Sequence, residues 1–192
     1  MNELHSCLAA SAAEAARIAR GVRAEQLDGP TPCAEFDVRT LVNHWVLYTS
    51  HGLECRALRR DIPGELMERD FAGEAGWAEA YAVQLDRAVV AWGEPSAWEG
   101  PVLLGDQEYP AEEVLPMIIK ELTVHGWDVA RATGQDIAVP PEVGELMLKV
   151  VTESAELYRQ YGGFAEPVAV APDASAFERA LAESGRDPRW TP

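Results

Sequence analysis

The chain has 192 residues, 47% of them hydrophobic and 25% charged, which is the balance of a soluble globular protein with a substantial core. Its formal net charge of −16, from 32 acidic against 16 basic residues, repels phosphate backbones and anionic lipid, so neither nucleic acid nor a membrane is an expected partner. Cys7, Cys33 and Cys55 form no CxxC motif, and the N-terminus lacks a basic region leading into an apolar one. With no apolar run of about 18 residues, the expected location is the reducing cytoplasm.

Leu4 to Arg20 is alanine-rich, and Leu8, Ala12, Ala15, Ile18 and Ala19 recur at helical spacing until Gly21 stops the helix. The link Gly29-Pro30-Thr31-Pro32-Cys33-Ala34-Glu35-Phe36 cannot continue it. Asp37 is a good N-cap for a second helix running from Val38 to about Arg60. Its stripe Leu41, His44, Tyr48, His51 and Cys55 follows one helical face and turns His44 toward the interior.

Asp61 to Gly73, with Pro63 and Gly64, reads as a loop containing a short turn. Glu74 to Trp92 is a third helix, with Trp77, Tyr81, Leu85, Ala88, Val89 and Trp92 at its spacing. Trp98 to Tyr109 reads as a small β-hairpin about Gly105-Asp106-Gln107. A helix starting near Pro110 or Ala111 carries its apolar pattern past Pro116 to Gly134. Pro140-Pro141-Glu142 opens the last long helix, with Val143, Leu146, Met147, Val150, Val151, Ala155 and Tyr158 inward and Gly162-Gly163 at its end. The tail from Phe164 to Pro192 holds one short helix around Ser175 to Ala182 and is expected to cross the bundle as a lid or strap.

No internal repeat or domain boundary interrupts the chain. The expected fold is therefore all-α: residues 1–192 as a single four-helix bundle, with a long crossover between the second and third or the third and fourth helices.

The chemistry concentrates in Lys120-Glu121-Leu122-Thr123-Val124-His125-Gly126-Trp127-Asp128. Glu121 and His125 stand one helical turn apart on one face, within reach of a single bound atom. Imidazole and carboxylate suit Zn²⁺, Fe²⁺, Ni²⁺ or Mn²⁺, but a catalytic ion usually needs a third protein ligand. The remaining histidines are His5, His44 and His51. Facing bundle helices lie roughly 8–10 Å apart, so His44 can close a site with Glu121 and His125. His51 lies roughly 10 Å along the axis from His44, so the two cannot share one ion, and spacing alone does not choose between them. The plain alternative is an i,i+4 polar pair at a helix edge and a hydrogen-bonded core histidine. Burying Glu121 between Ile118 and Leu122 without a partner would cost several kcal/mol, which favours a compensating cation.

Three phrases carry a family resemblance: Thr31-Pro32-Cys33-Ala34-Glu35-Phe36-Asp37-Val38-Arg39-Thr40-Leu41-Val42-Asn43-His44, then Glu121 through Gly134, then Ser184-Gly185-Arg186-Asp187-Pro188-Arg189-Trp190. In this order they resemble the actinobacterial metal-binding branch of the DinB/YfiT-like superfamily, related to the N-terminal domain of mycothiol-dependent maleylpyruvate isomerase. The resemblance implies a four-helix bundle whose divalent metal is held by a His of the second helix and a Glu-x-x-x-His pair of the third bundle helix. On this chain those ligands are His44, Glu121 and His125. The implied cofactors are a divalent metal, Zn²⁺ or Ni²⁺ fitting best, and mycothiol as a small thiol acting on an electrophilic substrate. The isomerase also has a C-terminal domain for which this sequence leaves no room, so thiol-dependent transfer or isomerisation is expected rather than maleylpyruvate isomerisation itself. The competing expectation is a non-catalytic metal- or ligand-binding bundle with a stress or regulatory role; a metal-free structural bundle is the third. Monomer and homodimer both remain open.

Three further positions carry smaller expectations. Asp128 is placed to orient an imidazole, although pairing with Arg131 or simple solvation is the favoured reading. Cys33 precedes a helix N-terminus, where a thiol pKa can fall, but burial as a small apolar residue is favoured. Trp45, Trp77 and Trp127 are expected in the core, one of them lining a pocket.

Overall fold

The computed structural model describes residues 3–192. The alanine-rich opening forms α1 (Glu3–Gly21), with the expected stripe buried. In the proline link, the Thr31 hydroxyl lies 2.8 Å from the carbonyls of both Cys33 and Phe36, folding the segment into a turn. Asp37 then caps α2 (Val38–Val46) by accepting from the Thr40 N–H at 2.7 Å.

α2 leads through a π-helical turn (Leu47–His51) into α3 (Gly52–Ala57). Two hydroxyls accompany the widened turn, Thr49 donating to the Trp45 carbonyl and Ser50 to that of Val46, each at 2.6 Å. Side-chain bonds back to i−4 carbonyls bend and loosen a helix. The even stripe expected along this helix does not survive the turn. The extra residue rotates His51 away from the His44 face and stacks it on Phe71, ring centroids 5.5 Å apart.

Beyond a short α4 (Gly64–Met67) and a 3-10 turn (Phe71–Gly73), α5 (Trp77–Gly93) forms the third bundle helix. The hairpin follows as β1 (Pro101–Leu104) and β2 (Gln107–Pro110), antiparallel, with Val102 opposite Tyr109 and Leu104 opposite Gln107. That register leaves a two-residue turn whose first residue, Gly105, takes a left-handed φ of 63°. Next come α6 (Ala111–Ala132), α7 (Pro141–Gln160) and α8 (Ala176–Glu183), the last opened by a capping box between Ser175 and Glu178.

α1 packs against α5 and α6, while α2 and α3 pack against the same two helices from across the bundle. The connection from α5 to α6, which contains the hairpin, is thus the expected crossover, and the proline link from α1 to α2 also crosses the bundle. Glu121 and His125 therefore lie on the fourth bundle helix in chain order rather than the third. On the far side of α6 lies α7, and α8 packs on α7. The tail acts as a strap. Arg159 donates to the Glu183 carbonyl at 3.0 Å, and Arg131 donates to that of Trp190 at 2.8 and 3.1 Å. Helix α6 is consequently covered on both sides, and every residue from Leu122 to Ala130 is buried.

Among the described residues no helix is long and apolar enough to cross a membrane. All three cysteines are free thiols.

Candidate metal centre

Close approach of α2 to α6 begins at a glycine. A Cβ at Gly126 would already sit 3.4 Å from Trp45 Cζ2, so a side chain larger than alanine would push the indole away. With that space open, the fully buried Trp45 crosses α6 and donates from Nε1 to the Leu122 carbonyl at 3.0 Å. The residue before it, His44, is thereby brought against the Glu121–His125 turn.

Three side chains converge there. His125 Nε2 lies 3.2 Å from Glu121 Oε2, and His44 Nε2 lies 3.8 Å from the same oxygen, beyond hydrogen-bond distance. One ligand atom from each of His44, Glu121 and His125 falls within 4.8 Å of the others. His44 Nε2 is buried and has no hydrogen-bond partner. His51 lies away from the group, and His5 ties α1 to α5 through the Val89 carbonyl at 2.9 Å.

Around these three lies a set of buried ions. Asp128, fully buried, meets His125 Nδ1 at 3.0 Å and takes a bidentate pair from Arg186, Nε to Oδ1 at 2.7 Å and Nη2 to Oδ2 at 2.8 Å. The Arg131 partnership favoured for Asp128 is thus replaced, since Arg131 is engaged by the tail carbonyl. Lys120, only 2% exposed, places Nζ 2.6 Å from Glu121 Oε1 and 3.6 Å from the centroid of the Tyr158 ring.

The protonation pattern follows from these contacts. Burial alone would raise the Asp128 carboxyl, but Arg186 outweighs it, with help from His125, and holds Asp128 below its ordinary pKa. Burial would likewise raise Glu121, yet Lys120 and the two imidazoles hold it well below the usual carboxylate range. Burial pulls the His125 imidazolium down, while hydrogen bonds with Asp128 and Glu121 more than reverse this and raise its pKa. An ionised Asp128 only accepts, so the proton of neutral His125 sits on Nδ1 and the Nε2 lone pair points at Glu121. Two acceptors then face each other at 3.2 Å. That contact is stable only with a proton or a cation between them.

The group opens on a cavity of about 450 Å³. His44, Glu121, His125 and Lys120 line it together with Phe36, Phe164, Cys33 and Arg186. Burial raises the Cys33 thiol rather than lowering it, and the neighbouring Asp128 charge adds to that, so the helix N-terminus does not activate it. Trp45 and Trp127 are core residues as expected, while Trp77 lines a separate cavity with His51. Sequence spacing did not single out Lys120 or Arg186. The only signal for Arg186 was its place in the resembling phrase Ser184-Gly185-Arg186.

Fold and site together define a helix bundle with a half-buried His, Glu, His cluster lining a cavity. Residues 8–130 match the family described as the mycothiol maleylpyruvate isomerase N-terminal domain, and the chain belongs to that family. Similar relatives include two uncharacterised proteins from two strains of Mycobacterium tuberculosis, each 30% identical over 128 residues. The match covers 67% of this chain, and the chain spans 66% of those relatives' length. No solved structure matches the chain.

Proposed function

We propose that His44, Glu121 and His125 hold a divalent metal, Zn²⁺ or Ni²⁺, and that residues 1–192 form one bundle acting as a thiol-dependent transferase or isomerase. Mycothiol, or a thiol like it, is the small-molecule cofactor, and a small electrophile is the co-substrate. The observation that carries this reading is the convergence of one ligand atom each from His44, Glu121 and His125 within 4.8 Å of one another, with His44 Nε2 buried and lacking a hydrogen-bond partner. These donors fit a borderline ion, and two neutral imidazoles with one carboxylate leave coordination positions open. The ion's contribution when bound is Lewis acidity, which lowers the pKa of a thiol.

The chain's own residues supply the remainder. Asp128 fixes the His125 tautomer and ring orientation, and Arg186 holds Asp128 in turn. Lys120 occupies Glu121 Oε1 and leaves Oε2 toward the imidazoles. Tyr158 and Phe164, stacked with ring centroids 4.7 Å apart, present an aromatic surface to the cavity.

The test is turnover. Metal-loaded protein is given mycothiol with a panel of electrophiles, beside His44→Ala and His125→Ala variants loaded the same way. Thiol adduct formed by the parent and lost in both variants supports the proposal. Tight binding of a non-reactive ligand with no turnover of any electrophile would instead favour a non-catalytic binding bundle with a regulatory role.

A further inference from the structure

Behind His44 stands Tyr48, ring centroids 4.8 Å apart, and beyond Tyr48 opens a second cavity of about 760 Å³ between the end of α3 and the hairpin. No step of the proposed chemistry uses it. Arg56, Arg59 and Arg60 line it, in a chain whose net charge is −16.

These arginines are not equivalent. Arg59 is consumed by structure: it leaves the helix in a left-handed conformation, φ 54°, and donates to the carbonyls of Ala97 and Glu99 at 2.9 Å each. Arg56 is not. Its Nε is buried without a hydrogen-bond partner, and among the described residues no ion pair reaches its guanidinium. Arg56 is half-buried, and a guanidinium held there without a counter-ion is costly unless an anion meets it. Burial accordingly pushes Arg56 down from its ordinary pKa, with Cys55, Tyr48 and Glu121 acting the other way.

The guanidinium is also seated. A Cβ on Gly52 would fall 2.6 Å from Arg56 Nη1 and 3.2 Å from Ile62 Cδ1, so the absent side chain makes the room it occupies. Part of the cavity lining is apolar, including Ile62, Met67 and Leu103, the last two 51% and 55% exposed. Asp61 and Glu108 also line it, so three arginines face two carboxylates and the surplus charge suits a monoanion better than a dianion.

We propose that this cavity is a binding site for a small monocarboxylate with an apolar body, its carboxylate paired to Arg56 and its body lying along Ile62, Met67 and Leu103. A planar carboxylate matches the guanidinium fork, and Arg60 adds positive charge to the same cavity. The site is separate from the three metal-ligand candidates and stands whether or not they hold an ion.

Calorimetric titration of the full chain in EDTA with benzoate, benzamide and inorganic phosphate tests this, so the outcome is independent of the metal. Benzoate is expected to bind at millimolar concentration or below, with benzamide weaker by about tenfold or more and phosphate no tighter than benzoate. Arg56→Met should abolish benzoate binding while melting at or above the parent temperature, because it removes an unpaired, half-buried charge. Gly52→Ala, which keeps the charge but fills its seat, should weaken benzoate by about tenfold. Undetectable benzoate binding by the parent, equal affinity in Arg56→Met, or preference for phosphate or benzamide overturns the proposal. So does a lower melting temperature for Arg56→Met, which would make Arg56 a structural residue.

Discussion

Replacing Arg186 with methionine removes both hydrogen bonds to Asp128, at 2.7 and 2.8 Å, and leaves a fully buried carboxylate supported only by His125 at 3.0 Å. Breaking a buried pair from one side costs about 3–5 kcal/mol, because the partner charge stays uncompensated. A protonated His125 recovers part of this, so a loss of about 3 kcal/mol is expected, or roughly 6–12 °C in Tm for a chain of this size. Removing the charge as well, in Asp128→Asn with Arg186→Met, should recover more than half of the loss. Urea denaturation of metal-free protein at neutral pH, across the parent, both single variants and the double, gives the coupling directly. A loss under about 1 kcal/mol for Arg186→Met, or a double variant losing the sum of the singles, would refute the reasoning. The same substitution loosens the orientation of His125 and should weaken Zn²⁺ binding about 10–100-fold.

Metal-free protein should lose stability in two pH directions. Glu121 and Asp128 are lowered on folding, so their contribution is present above the unfolded carboxylate values near 4 and is lost as pH falls through the folded ones. His125 is raised, so its contribution is complete below about pH 6.5 and disappears as pH rises through its folded value. Melting curves across pH should show the alkaline slope abolished in His125→Gln; a slope that persists would assign it to another group. Lys120→Met removes a cation 2.6 Å from Glu121 and should tighten Zn²⁺ binding by about tenfold or more, measured by chelator competition. Gly126→Leu should displace Trp45, cost about 1–3 kcal/mol and reduce metal uptake, read by denaturation and elemental content.

The parts of this fold legible in the sequence are those governed by local rules. Asp37 caps its helix, Gly105 turns the hairpin, and the paired prolines break the chain between α1 and α2. Glu121 and His125 were legible as a pair because four residues on a helix always bring side chains together. His44 required tertiary information: spacing left it level with His51, and the family resemblance chose it. The π turn that separates those two histidines depends on Thr49 and Ser50 bonding back to their own helix, a choice the apolar periodicity does not record. Arg186 lies far along the chain from Asp128, so no local pattern predicts that partnership. Burial of Lys120 was hidden too, because amphipathic analysis assumes one solvent face and α6 has none through its centre.

The most direct test of the His44, Glu121 and His125 site is the metal content of protein purified without an affinity tag or chelator. Close to one equivalent of a first-row divalent ion, Zn²⁺ or Ni²⁺, is expected, lost in both His44→Ala and His125→Ala while the variants remain folded. A parent protein that carries no metal and takes up neither ion on addition would contradict it, leaving His44, Glu121 and His125 as a proton-sharing cluster in the wall of the cavity.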